Sequence, residues 1–154
     1  MILFDSDILL LELRYPNDSR YSVNRQTIQQ IQADGTPRGV TLQTLLEVIG
    51  KLSFNLASFR IPQLPKFLTG LYRLTVFPTF QPSNDYAGCT IQELIDQMTL
   101  KMALGDAVQA VEIARYASFV DCLLSWNAKH FQGKIAVPVQ TPEDWLNLRR
   151  TNTP

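Results

Sequence analysis

Apolar residues open the chain as an unbroken run, Met1-Ile2-Leu3-Phe4, which stops at Asp5-Ser6-Asp7. A run of this kind bounded by polar residues reads as a buried strand of a parallel sheet. Residues 8–13 then predict a short helix ending before Pro16, and Pro16-Asn17-Asp18-Ser19 is a loop by composition. Ser22 is placed to cap a second, polar helix over 23–33, closed by Asp34-Gly35 and lying on the surface, with Ile28 and Ile31 as its main apolar contacts. A short strand is expected over 37–41. Leu42, Leu45, Leu46, Ile49 and Leu52 recur at helical spacing, and Glu47 lies off that stripe with Gln43 and Lys51. Periodicity alone therefore puts Glu47 in solvent.

Between residues 53 and 90 the pattern breaks. Pro62, Pro65, Pro78 and Pro82 interrupt Phe54, Phe59, Phe67, Leu71, Tyr72, Phe77 and Phe80. A short helix over 64–72 and a strand over 74–77 are expected. The aromatic side chains either wrap the core or form an exposed apolar face that serves as an interface.

Thr90 caps the next helix, marked by Ile91, Leu94, Ile95, Met98 and Met102 and broken at Gly105. The helix expected over 106–117 is apolar on most sides, with Gln109, Glu112 and Tyr116 tracing a wet face. Buried strands are expected over 120–126 and 135–139. Thr141-Pro142-Glu143-Asp144 opens the last helix with a cap, a first-position proline and an acid at the third position. Strands alternating with helices predict an α/β class: a three-layer α/β/α sandwich with a mostly parallel central sheet.

Composition narrows the setting. The chain has 154 residues, of which 45% are hydrophobic and 18% charged, enough to bury a core as one domain over 1–150 with a frayed tail over 151–154. Its 14 basic and 14 acidic residues balance, so a nucleic-acid contact would need a local patch. No apolar run is long enough to cross a bilayer, and the N-terminus lacks the basic region of a signal peptide, which predicts a cytoplasmic protein. Cys89 and Cys122 form neither metal-ligand spacing nor a disulfide framework, and Cys122 reads as a small core residue.

The candidate chemistry is acidic. Asp5 ends one strand, Asp106 opens a helix and Asn127 follows another strand. Each acid has an ordinary role as a helix cap. Ligand sites of open α/β sheets, however, lie beyond the strands' carboxyl ends. Carboxylates gathered there repel one another unless a cation holds them, and oxygen donors suit Mg²⁺ or Mn²⁺. Such an ion polarises phosphate and acidifies water, the chemistry of phosphodiester hydrolysis.

The order of these segments resembles the PIN domain, in particular its small VapC-type toxin-like members, over nearly the whole chain. The likeness rests on Leu3-Phe4-Asp5-Ser6-Asp7, on Leu45-Leu46-Glu47-Val48-Ile49-Gly50, and on Gly105-Asp106-Ala107 opening an Ala-rich helix. It continues through Ser125-Trp126-Asn127-Ala128-Lys129-His130-Phe131 and closes with Thr141-Pro142-Glu143-Asp144-Trp145-Leu146. The resemblance implies that Asp5, Glu47 and Asp106 bind Mg²⁺ or Mn²⁺, which moves Glu47 from solvent to the rim of a cleft. It implies supporting roles for Ser6, Asp7 and Ser125, and it puts Asn127 where many members carry a fourth Asp. Lys129 and His130 are candidates for RNA contact, against solvation for the lysine and packing or capping for the histidine. Trp126 either stacks a base or packs in the core, and its apolar run points to the core.

The function implied is a metal-dependent endoribonuclease, the toxin of a toxin–antitoxin pair, forming a homodimer and inhibited by a small antitoxin on the aromatic surface. The competing reading is a PIN-like module that binds nucleic acid or protein without cutting. A phospho-acceptor receiver domain would need a second strand-end Asp near mid-chain and a later Lys, and neither is placed.

Overall fold

The computed structural model describes residues 1–79 and 88–151. Strands β1 (Ile2–Phe4), β2 (Arg38–Thr41), β3 (Thr75–Phe77), β4 (Cys122–Leu124) and β5 (Val139–Gln140) form one parallel sheet in the order β3-β2-β1-β4-β5. Helices α1 (Ser6–Arg14), α2 (Tyr21–Ala33), α3 (Leu42–Ser53), α4 (Leu64–Tyr72), α5 (Ile91–Thr99), α6 (Leu104–Tyr116) and α7 (Pro142–Thr151) connect and cover it. The expected PIN-like α/β/α sandwich is the fold observed.

The two-residue side-chain period of a strand divides the core. Ile2, Phe4, Cys122 and Leu124 face α1, α2, α3, α4 and α7, together with Ile31, Leu45, Leu68 and Trp145. Leu3 and Leu123 face the other way, onto Ala107, Ala110 and Ile113 of α6 and onto Met102, Phe131 and Val137. Each central strand is therefore apolar on both faces, which is why it reads as an unbroken run. Gly39 is required where β2 passes β3: a Cβ there would lie 2.6 Å from the Thr75 carbonyl oxygen.

Several boundaries differ from expectation. Ser22 does not cap α2, which starts at Tyr21 with Arg20 in the cap position and no side-chain capping bond. Asn24 and Thr27 of that helix are buried, because Asn24 Nδ2 donates to the Ile8 carbonyl and Thr27 faces Pro142 of α7. The helix capped by Thr90 ends at Thr99, and Lys101 turns the chain with φ 62°. Met102 thus reaches the core from outside any helix. Gly105 does not break a helix; it sits inside the first turn of α6, which Ala103 caps through its backbone alone. A Cβ at Gly105 would approach Gln43 Nε2 to 3.3 Å, so the small residue lets α6 close on α3. Strand β4 is only Cys122–Leu124, since Asp121 turns out to bind the N-terminal ammonium at 2.5 Å. Residues 135–138 are not strand, and β5 begins at Val139. Thr141 caps α7 as expected, with Asp144 N donating to its Oγ1 at 3.1 Å.

Phe54, Phe59 and Phe67 are exposed, Phe54 by 88% and Phe59 by 70%, while Phe77 is half-buried against Tyr116, ring centroids 5.1 Å apart. The expectations for Phe80 and Pro82 lie outside the described residues.

Candidate active site

The sheet order places a switch of direction between β1 and β4, because the chain builds outward from β1 to β3 and then returns to the opposite side. Crevices at such a point, beyond the carboxyl ends of the strands, are where open α/β sheets bind ligands. Register then determines who meets there. Phe4 pairs with Leu124, and Asp5 N donates to the Leu124 carbonyl at 2.9 Å. One residue further, Ser125 Oγ donates to Asp5 Oδ2 at 2.7 Å.

Asp5 is buried and also caps α1, its Oδ1 accepting from Ser6 N at 2.7 Å. Asp7, in the first turn of α1, turns back toward the same point. Its Oδ2 accepts from Ser125 Oγ at 3.2 Å, from Asn127 N at 3.1 Å and from Asn127 Nδ2 at 3.2 Å. Its Oδ1 is buried with no hydrogen-bond partner among the described residues. Asp5, Asp7, Ser125 and Asn127 therefore form one hydrogen-bonded group, with Ser6 buried beside it.

Glu47 of α3 lies near enough for its charge to act both on Asp5 and on Asp106 of α6. Burial raises the pKa of Asp5 most; hydrogen bonds from Ser125 and Ser6 and the nearby Gln109 amide oppose it, and the Glu47 charge adds to it. Burial raises Asp106 as well, opposed by His130 and reinforced by Glu47. Asp7 is pushed up to about 7 by burial and by the Asp5 charge. These shifts describe carboxylates held together without enough positive charge nearby. Among the described residues, the basic side chains paired with Glu47 and Asp106 lie at the edge of the site. Lys51 Nζ meets Glu47 Oε1 at 2.6 Å one turn along α3, and His130 Nδ1 lies 3.5 Å from Asp106 Oδ2. Lys129 and His130 are both exposed. Trp126 is half-buried on the core, its Nε1 donating to Asn24 Oδ1 at 2.9 Å, so the core expectation accounts for one edge of the ring.

Among the described residues, no three His, Cys, Asp or Glu side chains close on one point as a direct metal shell. The donor set nevertheless suits a hydrated divalent ion. Mg²⁺ keeps several waters and takes one or two carboxylates, and the unpartnered Oδ1 of Asp7 and the desolvated Asp5 and Asp106 are hard oxygen donors of that kind.

Two residues expected on a wet face turn inward. Gln109 and Glu112 of α6 are each only 2% exposed. Gln109 follows Asp106 by three positions, which puts both on one helix face. Its amide lowers the Asp5 pKa, yet Nε2 has no hydrogen-bond partner of acceptable geometry among the described residues, so the contact is electrostatic rather than a formed bond. Glu112 Oε2 accepts from Gln43 N at 3.0 Å, which ties α6 to the first turn of α3. The signal available was their spacing from Asp106 in an otherwise apolar helix.

The fold is the PIN-like one, shared with chains of VapBC and FitAB complexes. A chain of VapBC2 from Rickettsia felis, bound to a DNA fragment from its promoter, is similar over 92% of this chain and 98% of its own, with TM-score 0.60 and 16% identity. A chain of VapBC-1 from nontypeable Haemophilus influenzae matches with TM-score 0.61 and 17% identity over 93% of this chain and 99% of its own. A chain of FitAcB from Neisseria gonorrhoeae matches with TM-score 0.58 and 14% identity, again over 93% and 99%. At these identities the likeness is one of fold. No family model and no curated protein matches the sequence.

Proposed function

We propose that this protein is a Mg²⁺- or Mn²⁺-dependent endoribonuclease and the toxin of a toxin–antitoxin pair. The observation that carries the reading is the cluster of desolvated carboxylates at the switch point between β1 and β4, on a fold shared with VapBC and FitAB chains. Asp5, Glu47 and Asp106 would hold the ion. When bound, the ion supplies phosphate polarisation and a more acidic water. Ser125 and Ser6 orient Asp5 through its two oxygens, and the Asn127 amide orients Asp7. His130 lies beside Asp106, its Nδ1 3.5 Å from Oδ2, while Lys129, exposed next to it, is available to a phosphate.

The proposed antitoxin site is an apolar groove of about 490 Å³ between the ends of α1 and α3 and the start of α4. Leu13, Leu52, Leu56, Phe59, Leu64 and Phe67 line it, a surface suited to the apolar face of a partner helix. The complexes in which the similar chains were solved support a partner of this kind. Homodimerisation is part of the same proposal, and no helix among the described residues is long and apolar enough to cross a membrane.

The test is cleavage of RNA by purified protein with Mg²⁺ or Mn²⁺, with EDTA and with Asp5→Asn. Cleavage lost in both controls supports the reading. RNA binding with no cleavage under any ion would instead make this a module that binds without cutting.

A further inference from the structure

Beside the carboxylates, the carboxyl end of α1, the loop that follows it, the end of α3 and Trp126 enclose a cleft of about 220 Å³. Leu10 and Leu11 form its floor, and Asp7, Tyr15, Arg20, Lys51 and Trp126 its walls. Two of those walls belong to the site already described: Asp7 is hydrogen-bonded to Ser125 and Asn127, and Lys51 is paired with Glu47. The cleft is thus continuous with the acidic centre.

Its lining combines flat aromatic faces with cations. The Arg20 guanidinium lies 5.6 Å from the centroid of the Trp126 ring. Trp126 cannot swing away, because its Nε1 is bonded to the fully buried Asn24, which in turn donates to the Ile8 carbonyl. Arg20 is held in place as well. Asp18 accepts from its Nε at 3.0 Å and from its Nη2 at 2.8 Å, and Nη1 has no acceptor among the described residues. Tyr15 is half exposed at the end of α1, and Arg14 donates to the Lys51 carbonyl at 2.8 Å, tying the two ends of the cleft together.

Aromatic rings interleaved with Arg and Lys form the platform on which single-stranded nucleic acid stacks its bases and seats its phosphates. The volume is below the roughly 300–1,000 Å³ of a drug-sized ligand site, so the cleft takes one small unit of a larger ligand. An apolar ligand would cover the Arg20 and Lys51 charges without adding an acceptor, whereas a phosphate supplies one.

We propose that this cleft binds one nucleotide of single-stranded RNA adjacent to the phosphate at the acidic centre. The base stacks on the Tyr15 and Arg20–Trp126 faces, and Lys51 and Arg20 Nη1 meet the backbone. The inference deepens the ribonuclease reading by naming a substrate subsite, and binding without cleavage tests it.

The probe is a short fluorescein-labelled single-stranded RNA, titrated by fluorescence anisotropy in EDTA against the unmodified protein, Tyr15→Ala and Arg20→Ala. Each variant is expected to bind about 5-fold or more weakly, the lower end of base–aromatic stacking. Mn²⁺ affinity by calorimetry and the melting temperature should stay unchanged, separating the subsite from the metal centre and from folding. Unchanged RNA affinity in both variants overturns the proposal, as does an unmodified protein that binds no RNA. Cleavage that persists beside unchanged affinity would remove the subsite and leave the ribonuclease reading. Weakened binding in a protein that never cleaves would do the reverse.

Discussion

Asn127 Nδ2 donates to Asp7 Oδ2 at 3.2 Å, and the backbone N–H of the same asparagine reaches that oxygen at 3.1 Å. The amide is thus matched to an acid across the switch point between β1 and β4. Asn127→Asp would replace a donor with a second carboxylate facing Asp7. We expect the divalent-free protein to lose about 1–3 kcal/mol of stability, from a lost bond and like-charge repulsion. Mn²⁺ affinity should rise, because the added charge is relieved by a cation. Thermal denaturation in EDTA and calorimetric titration read the two effects, and a variant equally stable without metal would show that the pairing does not matter.

Asp7 gives the stability a pH dependence of definite sign. Its pKa is about 7 in the fold against an ordinary 3.8. Between those values the folded state binds more protons than the unfolded one, so stability falls as pH rises. Asp5 and Asp106 are shifted in the same direction. Without divalent ions, the protein should therefore melt at higher temperature at pH 5 than at pH 8. Asp7→Asn should flatten that dependence and stabilise the protein at pH 8, by on the order of 2–4 kcal/mol.

Glu47 raises the pKa of both Asp5 and Asp106. Glu47→Gln removes that repulsion, so the metal-free protein should hold or gain stability while Mn²⁺ affinity drops. RNA cleavage should fall by about 100-fold or more, since metal-mediated charge stabilisation is worth several kcal/mol. A variant that cleaves like the parent would remove Glu47 from the ion's surroundings.

The sheet makes a sharper test of packing. Gly39→Ala drives a Cβ to 2.6 Å from the Thr75 carbonyl oxygen and should cost about 1–3 kcal/mol by overpacking. Gly50, within α3, has no atom within 4 Å of the same added group, and Gly50→Ala should stabilise by about 0.5–1 kcal/mol. Denaturant midpoints of the two variants must move in opposite directions.

Phe59 and Phe67 line the apolar groove and are 70% and 54% exposed. Replacing both with serine should leave the melting temperature within a few degrees, because little buried area is lost. Sedimentation should show weaker self-association if this face serves the homodimer. An unchanged monomer–dimer balance would reserve the groove for a different partner.

Local chemistry made much of this protein readable in its sequence. The run Met1-Ile2-Leu3-Phe4 stays a buried strand wherever the sheet puts it, because both its faces need apolar neighbours. The stripe from Leu42 to Leu52 and the Thr141 cap depend on residues within one or two turns, and both were legible. Asp5 was legible as well, since a strand-ending acid needs no partner to be noticed. Other features depend on what lies across space. Gln109 and Glu112 resemble solvated residues until α6 docks with that face toward Asp5 and α3. Asp7 and Asn127, 120 positions apart, meet only because β1 and β4 run parallel with Phe4 opposite Leu124. Helical periodicity records which positions share a face, but strand order and register decide which faces meet, and those are set by packing between distant segments.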